Sequence, residues 1–489
     1  MNARMTWLSA SEQNAIVDEA LGVLERVGMR LAGSAALPAL AEAGALVDAA
    51  TGVVHFPGEL VERALATCPR AVLMAGVRPE LDVLVDGERS FFNVSGCAAK
   101  TLDRHTGDLR ASTLADLREG TRVLDATPEL DVMWTFVTAC DVALERRELV
   151  EQYTYLTETG KPVVIVDCPT EVGAVRRVFE IVSGDLERFR ARPRVSLLCA
   201  VRAPLGVNGD LLDVTVQFAR LGAPIWVYSM PIAGATAPVT LAGTLVQIWA
   251  EVLGTVTAVQ TLAPGAPVVA CCGPGILDMR TTTISLGCLE NSVMGAACVE
   301  IGHRLGLPVH NSGLSTDGKS VGVQTGYEKG LKVLTAVATG ADLVSGGFGF
   351  LDSSSTFHLP LVPIDAEIAA MARAMVAGVE VSPETLMGEA IERVGIAGNF
   401  LGERETRRRV RRGEHFVPWI ASRLPIDQWL AAGRSEADVA NARVDELLAA
   451  RAAAGPYLSD GQRAALAEVC GITDAERVCG VTTTEEGGC

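Results

Sequence analysis

The chain has 489 residues, room for one large barrel with extensions or for two to three average domains. Hydrophobic residues make up 49% and charged residues only 21%, which excludes a largely disordered chain and allows a large core. The net charge of −17 repels a phosphate backbone and speaks against a nucleic-acid partner.

Residues 1–7 are not followed by an apolar run, so no secretion signal is expected and the chain reads as cytoplasmic. The most apolar stretch, 236–263, is broken by Gln247 and Glu251 and reads as a buried helix rather than a membrane span. Twelve cysteines are present. Most, including Cys140, Cys168, Cys199, Cys271 and Cys272, sit in apolar runs and read as small core residues in a reducing compartment. Neither CxxC nor HxxxH spacing occurs, so no zinc or other metal site is signalled.

In chain order, residues 11–27 have helical spacing. Ile16, Ala20, Leu24 and Val27 share a face, Ser11 is the expected cap and Gly28 the stop. Residues 59–67 predict a second helix, and 91–110 read as strands with a turn at Thr106, Gly107 and Asp108. From about 130 short apolar runs recur: 132–137, 163–166, 195–201, 224–228, 267–272, 307–311 and 343–345. Unbroken apolar runs suit strands buried on both faces of a parallel sheet. Helix candidates lie between them, such as 239–262, 290–305 and 327–338.

Repeated strand–helix units imply a TIM-type (β/α)8 barrel or a doubly wound sheet. No GxGxxG follows an early strand, which favours the barrel. Seven runs are visible, and the eighth strand is expected in 90–95 or near 379–382. The expected division is an N-terminal helical extension over 1–85, the barrel over 86–380 and a C-terminal helical extension over 381–489, ending in a frayed tail at 482–489. Arg404, Arg407, Arg408, Arg409, Arg411 and Arg412 cluster in the last part. They read as a solvated helix face, with docking to an acidic partner as the alternative.

Barrel chemistry sits at the C-terminal ends of the strands. Those ends carry Asp141, Asp167, Arg202, Tyr228, Ser229, Asn311, Ser312 and Asp317. No GxSxG elbow occurs. His303 reads as structural, His310 as a core or hydrogen-bonding residue, and His358 as a candidate for the site. Residues 345–350, Ser-Gly-Gly-Phe-Gly-Phe, admit three readings: ordinary tight turns, a phosphate cradle without any Lys or Arg, or space for a flat bulky group to approach the mouth.

Several segments together resemble the trimethylamine methyltransferase (MttB-like) family. They are 230–243 (Met-Pro-Ile-Ala-Gly-Ala-Thr-Ala-Pro-Val-Thr-Leu-Ala-Gly), 250–253, 264–267, 103–116, 315–324, 327–329 and 340–342. The likeness covers roughly 12–450. Archaeal amine-specific members use pyrrolysine, whereas this sequence has only standard residues, so it resembles the non-pyrrolysine branch. Members of that branch demethylate quaternary amines such as glycine betaine, proline betaine and carnitine.

The resemblance implies methyl transfer from such an amine to cob(I)alamin on a corrinoid (cobalamin) carrier protein. The DxHxxG motif of corrinoid carriers is absent, since residues 103–107 have the wrong spacing, so the cofactor is expected on the partner. A quaternary amine leaves as a neutral tertiary amine and needs no strong general acid. Its cation wants aromatic faces, and its carboxylate wants a donor such as Arg202, Asn93 or His358.

The candidate catalytic residues are His358, Asp317 and Glu328. Asn93, Arg202, Tyr228, Asn311, Tyr327, Phe348, Phe350 and Phe357 are the candidate substrate pocket. Gly346, Gly347 and Gly349 are expected to face the corrin ring. Neither a membrane nor a nucleic acid is expected as partner, and a homo-oligomer is left open. Two alternatives stand beside this reading: a betaine-binding barrel without turnover, and a demethylase of a sulfonium or another methylated small molecule.

Overall fold

The computed structural model describes residues 5–166 and 172–478. Eight parallel strands surround one axis: β1 (Phe91–Phe92), β2 (Met133–Trp134), β3 (Val163–Ile165), β4 (Val195–Ala200), β5 (Ile225–Ser229), β6 (Val268–Cys272), β7 (Val309–Asn311) and β8 (Leu343–Val344). Their order in the sheet is β1-β8-β7-β6-β5-β4-β3-β2. The ring closes where Asn93 bridges Val132 in parallel, and the amides of Asp131 and Val132 donate to the Phe92 carbonyl at 2.7 and 3.1 Å. The eighth strand therefore comes first in the chain, within 90–95. Residues 379–382 form no strand.

The helices are α1 (Ala10–Arg26), α2 (Leu114–Ala126), α3 (Leu144–Glu158), α4 (Val172–Ser183), α5 (Gly209–Leu221), α6 (Leu241–Leu262), α7 (Leu289–Arg304), α8 (Val323–Thr339), α9 (Leu361–Ala377) and α10 (Glu436–Ala454). One of α2–α9 follows each barrel strand in turn, giving the (β/α)8 barrel. Strands covered by helices outside and side chains inside have no wet face, which is why their sequences are apolar throughout.

The N-terminal extension holds α1, the helix Gly58–Thr67 and a small antiparallel sheet of Met29–Arg30, Val53–His55 and Leu46–Asp48. Strands this short leave little periodic signal, so only the helices could be read from sequence. The cap of α1 is Ser9, two residues ahead of Ser11. Its hydroxyl accepts from the Glu12 amide at 3.3 Å, and the Glu12 carboxylate accepts from the Ser9 amide at 2.8 Å.

The buried stripe of α1, Ile16, Ala20 and Leu24, lies on α6. α6 is long and apolar enough to cross a membrane, yet 78% of its most apolar window is buried inside the protein, and it is a core helix. Gly254 permits the close approach: a Cβ there would collide with Met29 Sδ and lie 2.9 Å from Leu24 Cδ2. At the other end of the chain, α10 packs on α2 and α9.

Candidate active site

Successive residues of a barrel strand point alternately to the lumen and to the helices. On β5, Trp226 and Tyr228 point inward, and Ser229 points outward to donate to the buried Glu251 carboxylate of α6 at 2.6 Å. On β7, His310 points inward. Asn311 points outward against α7, where a Cβ on Gly295 would come within 2.6 Å of its Oδ1.

Trp134 of β2 completes the inward set. Its ring centroid lies 5.3 Å from Trp226, 6.0 Å from Tyr228 and 5.6 Å from His310. His310 in turn lies 5.6 Å from Trp226 and 6.1 Å from Tyr228. Three aromatic rings and an imidazole thus fill the lumen. Tyr228 is the one among them that is partly exposed, toward the mouth.

Burial lowers the His310 pKa to about 3, so its ring is neutral at ordinary pH. Nε2 bonds the Ser345 hydroxyl, which accepts from Ser95 at 3.1 Å. Ser345 then has its own proton to offer Nε2, which places the ring proton on Nδ1. Nδ1, the Trp226 indole N–H and Asn93 Oδ1 are buried and make no hydrogen bond. Unpartnered buried polar atoms cost stability unless a water or a ligand meets them.

Around the mouth, the segments after β5 and β6 form a small sheet of Ile232–Ala233, Gly275–Asp278 and Thr283–Ser285. Met230, Val239, Met279, Ile284 and Leu289 are exposed on and beside it, an apolar rim. Gly273 leaves room for the Tyr228 hydroxyl, which a Cβ would strike.

Beyond β7 and β8 the loops are pinned by charge. The Asp317 carboxylate accepts from Ser285 and Ser353 (2.5 Å) and from the amides of Leu286 (3.1 Å) and Gly287 (2.9 Å). Burial works to raise its pKa, but these donors outweigh it and hold the carboxyl below the usual range. Glu328 accepts from Thr316 (2.5 Å), the Asp317 amide (2.8 Å) and Gln324 (2.8 Å). Lys329 donates to the Gly347 carbonyl at 2.6 Å and to Asp365 at 2.9 Å, with both charged side chains fully buried. Asp365 also accepts from the Gly349 amide at 2.8 Å.

Of the residues singled out in the sequence, Tyr228 and Asn93 lie in the lumen. The others are placed elsewhere. Asp317 and Glu328 brace loops, every oxygen being held by donors of this chain. Asn311 faces the helix layer. Tyr327 stands 53% exposed on the outside of α8. Arg202 lines a separate cavity of about 420 Å3 with Arg30, Ala203, Pro204 and Asn208. Phe348 packs edge-on against Phe92, and Phe350 and Phe357 pack on each other, all three buried.

His358 sits outside the aromatic cluster, where its Nδ1 bonds the Leu102 carbonyl at 2.9 Å and burial lowers its pKa. Gly346, Gly347 and Gly349, expected to face a corrin ring, are all three buried. A Cβ on Gly346 would lie 2.7 Å from Ser315 Oγ, one on Gly347 would strike the Leu314 carbonyl, and one on Gly349 the Phe357 ring. These glycines serve packing inside the protein. Asp141 caps α2 through the Leu114 amide at 2.8 Å. His303, expected to be structural, pairs with Asp342 at 2.8 Å. Asp167 and Cys168 and the tail 482–489 lie outside the described residues. Among the described residues no group of three or more His, Cys, Asp or Glu is placed to hold a metal ion.

Sequence reasoning passed over Trp134 and Trp226 and left His310 as a core or hydrogen-bonding residue. A signal was present: Trp226 and Tyr228 are two apart in one strand run, hence on one face.

The fold defines a (β/α)8 barrel whose lumen is filled by aromatic rings. The family model for trimethylamine methyltransferase (MTTB) matches residues 1–471, and the chain belongs to that family of methyltransferases. It is 31% identical over 429 residues to trimethylamine methyltransferase MttB of Desulfitobacterium hafniense, covering 88% of this chain and 86% of the relative. MttB2 of Methanosarcina mazei is 30% identical, covering 91% and 90%. A glycine betaine methyltransferase of Desulfitobacterium hafniense is 25% identical, covering 90% and 92%. Among solved structures, a hydroxylamine complex of MtmB superposes with a TM-score of 0.51 at 14% identity, over 90% of this chain and 88% of the other, a likeness of fold.

Proposed function

We propose that this chain is a corrinoid-dependent methyltransferase that takes a methyl group from a quaternary amine carrying a carboxylate, such as glycine betaine. The observation that carries the reading is the uncharged aromatic lumen: Trp134, Trp226 and Tyr228 around a neutral His310. Aromatic faces attract a quaternary ammonium, and a neutral imidazole adds no repulsion. The buried, unpartnered N–H groups of Trp226 and His310 offer donors for the carboxylate. The absence of pyrrolysine and the relatedness to a glycine betaine methyltransferase support the same substrate class.

The leaving group is a neutral amine, so the N–methyl bond breaks with its electron pair staying on nitrogen, and no residue has to deliver a proton. The chain's task is to hold the methyl group in line and keep water out. The rim of Met230, Val239, Met279, Ile284 and Leu289 fits the face of a flat macrocycle, delivered by a carrier protein docking at the mouth. When bound, the corrinoid supplies the nucleophile that takes up the methyl group.

The test is incubation of the purified chain with cob(I)alamin, free or on a carrier, and each of glycine betaine, proline betaine, carnitine and trimethylamine. Mass spectrometry then quantifies the demethylated amine. Dimethylglycine from glycine betaine, or the matching product from another quaternary amine, is expected. Turnover of trimethylamine alone overturns the substrate class, and tight betaine binding without any turnover selects a binding barrel instead.

A further inference from the structure

Where the N-terminal extension meets the barrel, two arginines flank one glycine. The Arg30 amide donates to the Leu205 carbonyl at 2.9 Å, and the Arg30 carbonyl accepts from the Val207 amide at 3.0 Å. From the other side, the amide and carbonyl of Gly206 exchange bonds with Arg202 at 3.1 and 2.7 Å. Arg30 and Arg202 are therefore both bridge partners of Gly206. Residues paired across a bridge send their side chains to the same face. Two strand spacings put the two Cα atoms about 10 Å apart, with a residue that has no side chain between them.

That face opens on the cavity of about 420 Å3, whose walls include Arg30, Ala32, Arg202, Pro204, Gly206 and Asn208. None of the lining side chains is a carboxylate. Neither guanidinium has an acceptor among the described residues, although acidic side chains outnumber Lys and Arg by 59 to 42 in the chain. Carboxylates of the adjoining helices are engaged by other donors. Asp213 of α5 accepts from Ser34 Oγ at 2.6 Å and from the Ala35 amide at 2.8 Å. Glu251 of α6 accepts from the Leu205 amide at 3.0 Å. These bonds also hold both walls of the cavity in place. Asp210, in the first turn of α5, is exposed and does not line the cavity. α5 itself begins here, with Asn208 as its N-cap. Gly209 permits the close approach of its first turn, since a Cβ there would strike the Ala32 carbonyl and the Ser34 amide. The amide end of α5 adds positive potential to that of the two guanidinium groups.

We propose that this cavity binds a phosphate group, free or on a small monoester, in a fork of two arginines. Guanidinium groups match phosphate oxygens two at a time, and an anion between them removes the repulsion of like charges. One arginine belongs to the extension and the other to the barrel, so the bound anion ties the two parts together. The site is independent of the chemistry in the lumen.

Calorimetry with inorganic phosphate and with glycerol 3-phosphate, against chloride at matched ionic strength, tests it. Saturable binding of one anion per chain is expected, weakened by added salt, with a Tm that rises with phosphate concentration. The tighter of the two compounds identifies the source of the phosphate group. Arg30→Gln and Arg202→Gln should each weaken binding roughly 10- to 100-fold. Gly206→Leu should abolish it with both arginines retained. A Cβ at Gly206 meets only carbonyl oxygens, at 3.4–3.9 Å, and its φ is not left-handed, so the backbone accepts a side chain that fills the gap. Glycine betaine affinity should be the same in all three variants. Should a variant fail to fold, hydrogen exchange on the wild type reads the same contact: phosphate should slow exchange at 29–32 and 202–208 together. Absence of saturable binding of either compound overturns the proposal, as does binding that all three variants retain. Loss of betaine affinity in Arg202→Gln also overturns it, because Arg202 then belongs to the substrate pocket.

Discussion

Lys329 and Asp365 meet at 2.9 Å with neither side chain touching solvent, and both also bond the backbone of the 345–350 loop. Burial lowers the lysine pKa and raises that of Asp365 to about 6, so each charge depends on the other to remain in the interior. Removing one partner leaves an uncompensated charge, whereas removing both does not. Lys329→Met is expected to cost about 3–5 kcal/mol, read by chemical denaturation, and Lys329→Met/Asp365→Leu should recover most of it. A single variant as stable as wild type would show that the pair does not hold the loop.

Trp134 is the centre of the aromatic lumen. Trp134→Leu should weaken glycine betaine binding by roughly 2- to 30-fold, the equivalent of about 0.5–2 kcal/mol for one cation–π face, with Trp134→Phe in between. Calorimetry measures it, and unchanged affinity in both variants removes Trp134 from the pocket.

His310 makes stability depend on pH. Its folded pKa of about 3 lies below the ordinary 6.5, so the unfolded chain binds the extra proton first. Its contribution is complete above pH 6.5 and is lost as pH falls toward 3, on the order of 5 kcal/mol over the whole window. The wild-type Tm should therefore fall more steeply between pH 6.5 and 4 than that of His310→Gln. Parallel curves would mean that the imidazole is solvated.

His358 gives a contrasting case. Its bond to the Leu102 carbonyl ties the start of α9 to the strand Lys100–Leu102. His358→Ala should lower stability by about 1 kcal/mol and leave betaine affinity as it was. A loss of affinity with unchanged stability would return His358 to the substrate pocket.

The barrel could be read from sequence because double-sided burial writes itself as unbroken apolar runs. β1 was the ambiguous strand: Phe91–Phe92 is only two residues long, and nothing local separates it from the alternative at 379–382. The site was harder, because its ligand-facing groups are the residue types that also build cores. Trp134 and Trp226 carry no mark that separates a lumen from a packed interior, and only the pairing of strands around an axis brings them together. Gly347 shows the converse difficulty. A glycine signals that something comes close, but not from which side, and here it is the Leu314 carbonyl from within. Asp317 and Glu328 drew notice as carboxylates near the mouth, while their donors lie on loops up to 36 residues away in sequence, Ser353 among them.

The seating of α1 on α6 also sets an order of events. Leu24 and Gly254 touch across 230 positions of the chain. The first helix is synthesised long before the helix that receives it, and its apolar stripe has no resting place until residue 262 has emerged. Contacts this distant in sequence form slowly and leave sticky surface uncovered in the meantime. Production of this enzyme should therefore respond to slower growth, lower temperature and chaperone supply more than its finished stability suggests. A bulky fusion ahead of residue 9 would sit at a helix that has to wait.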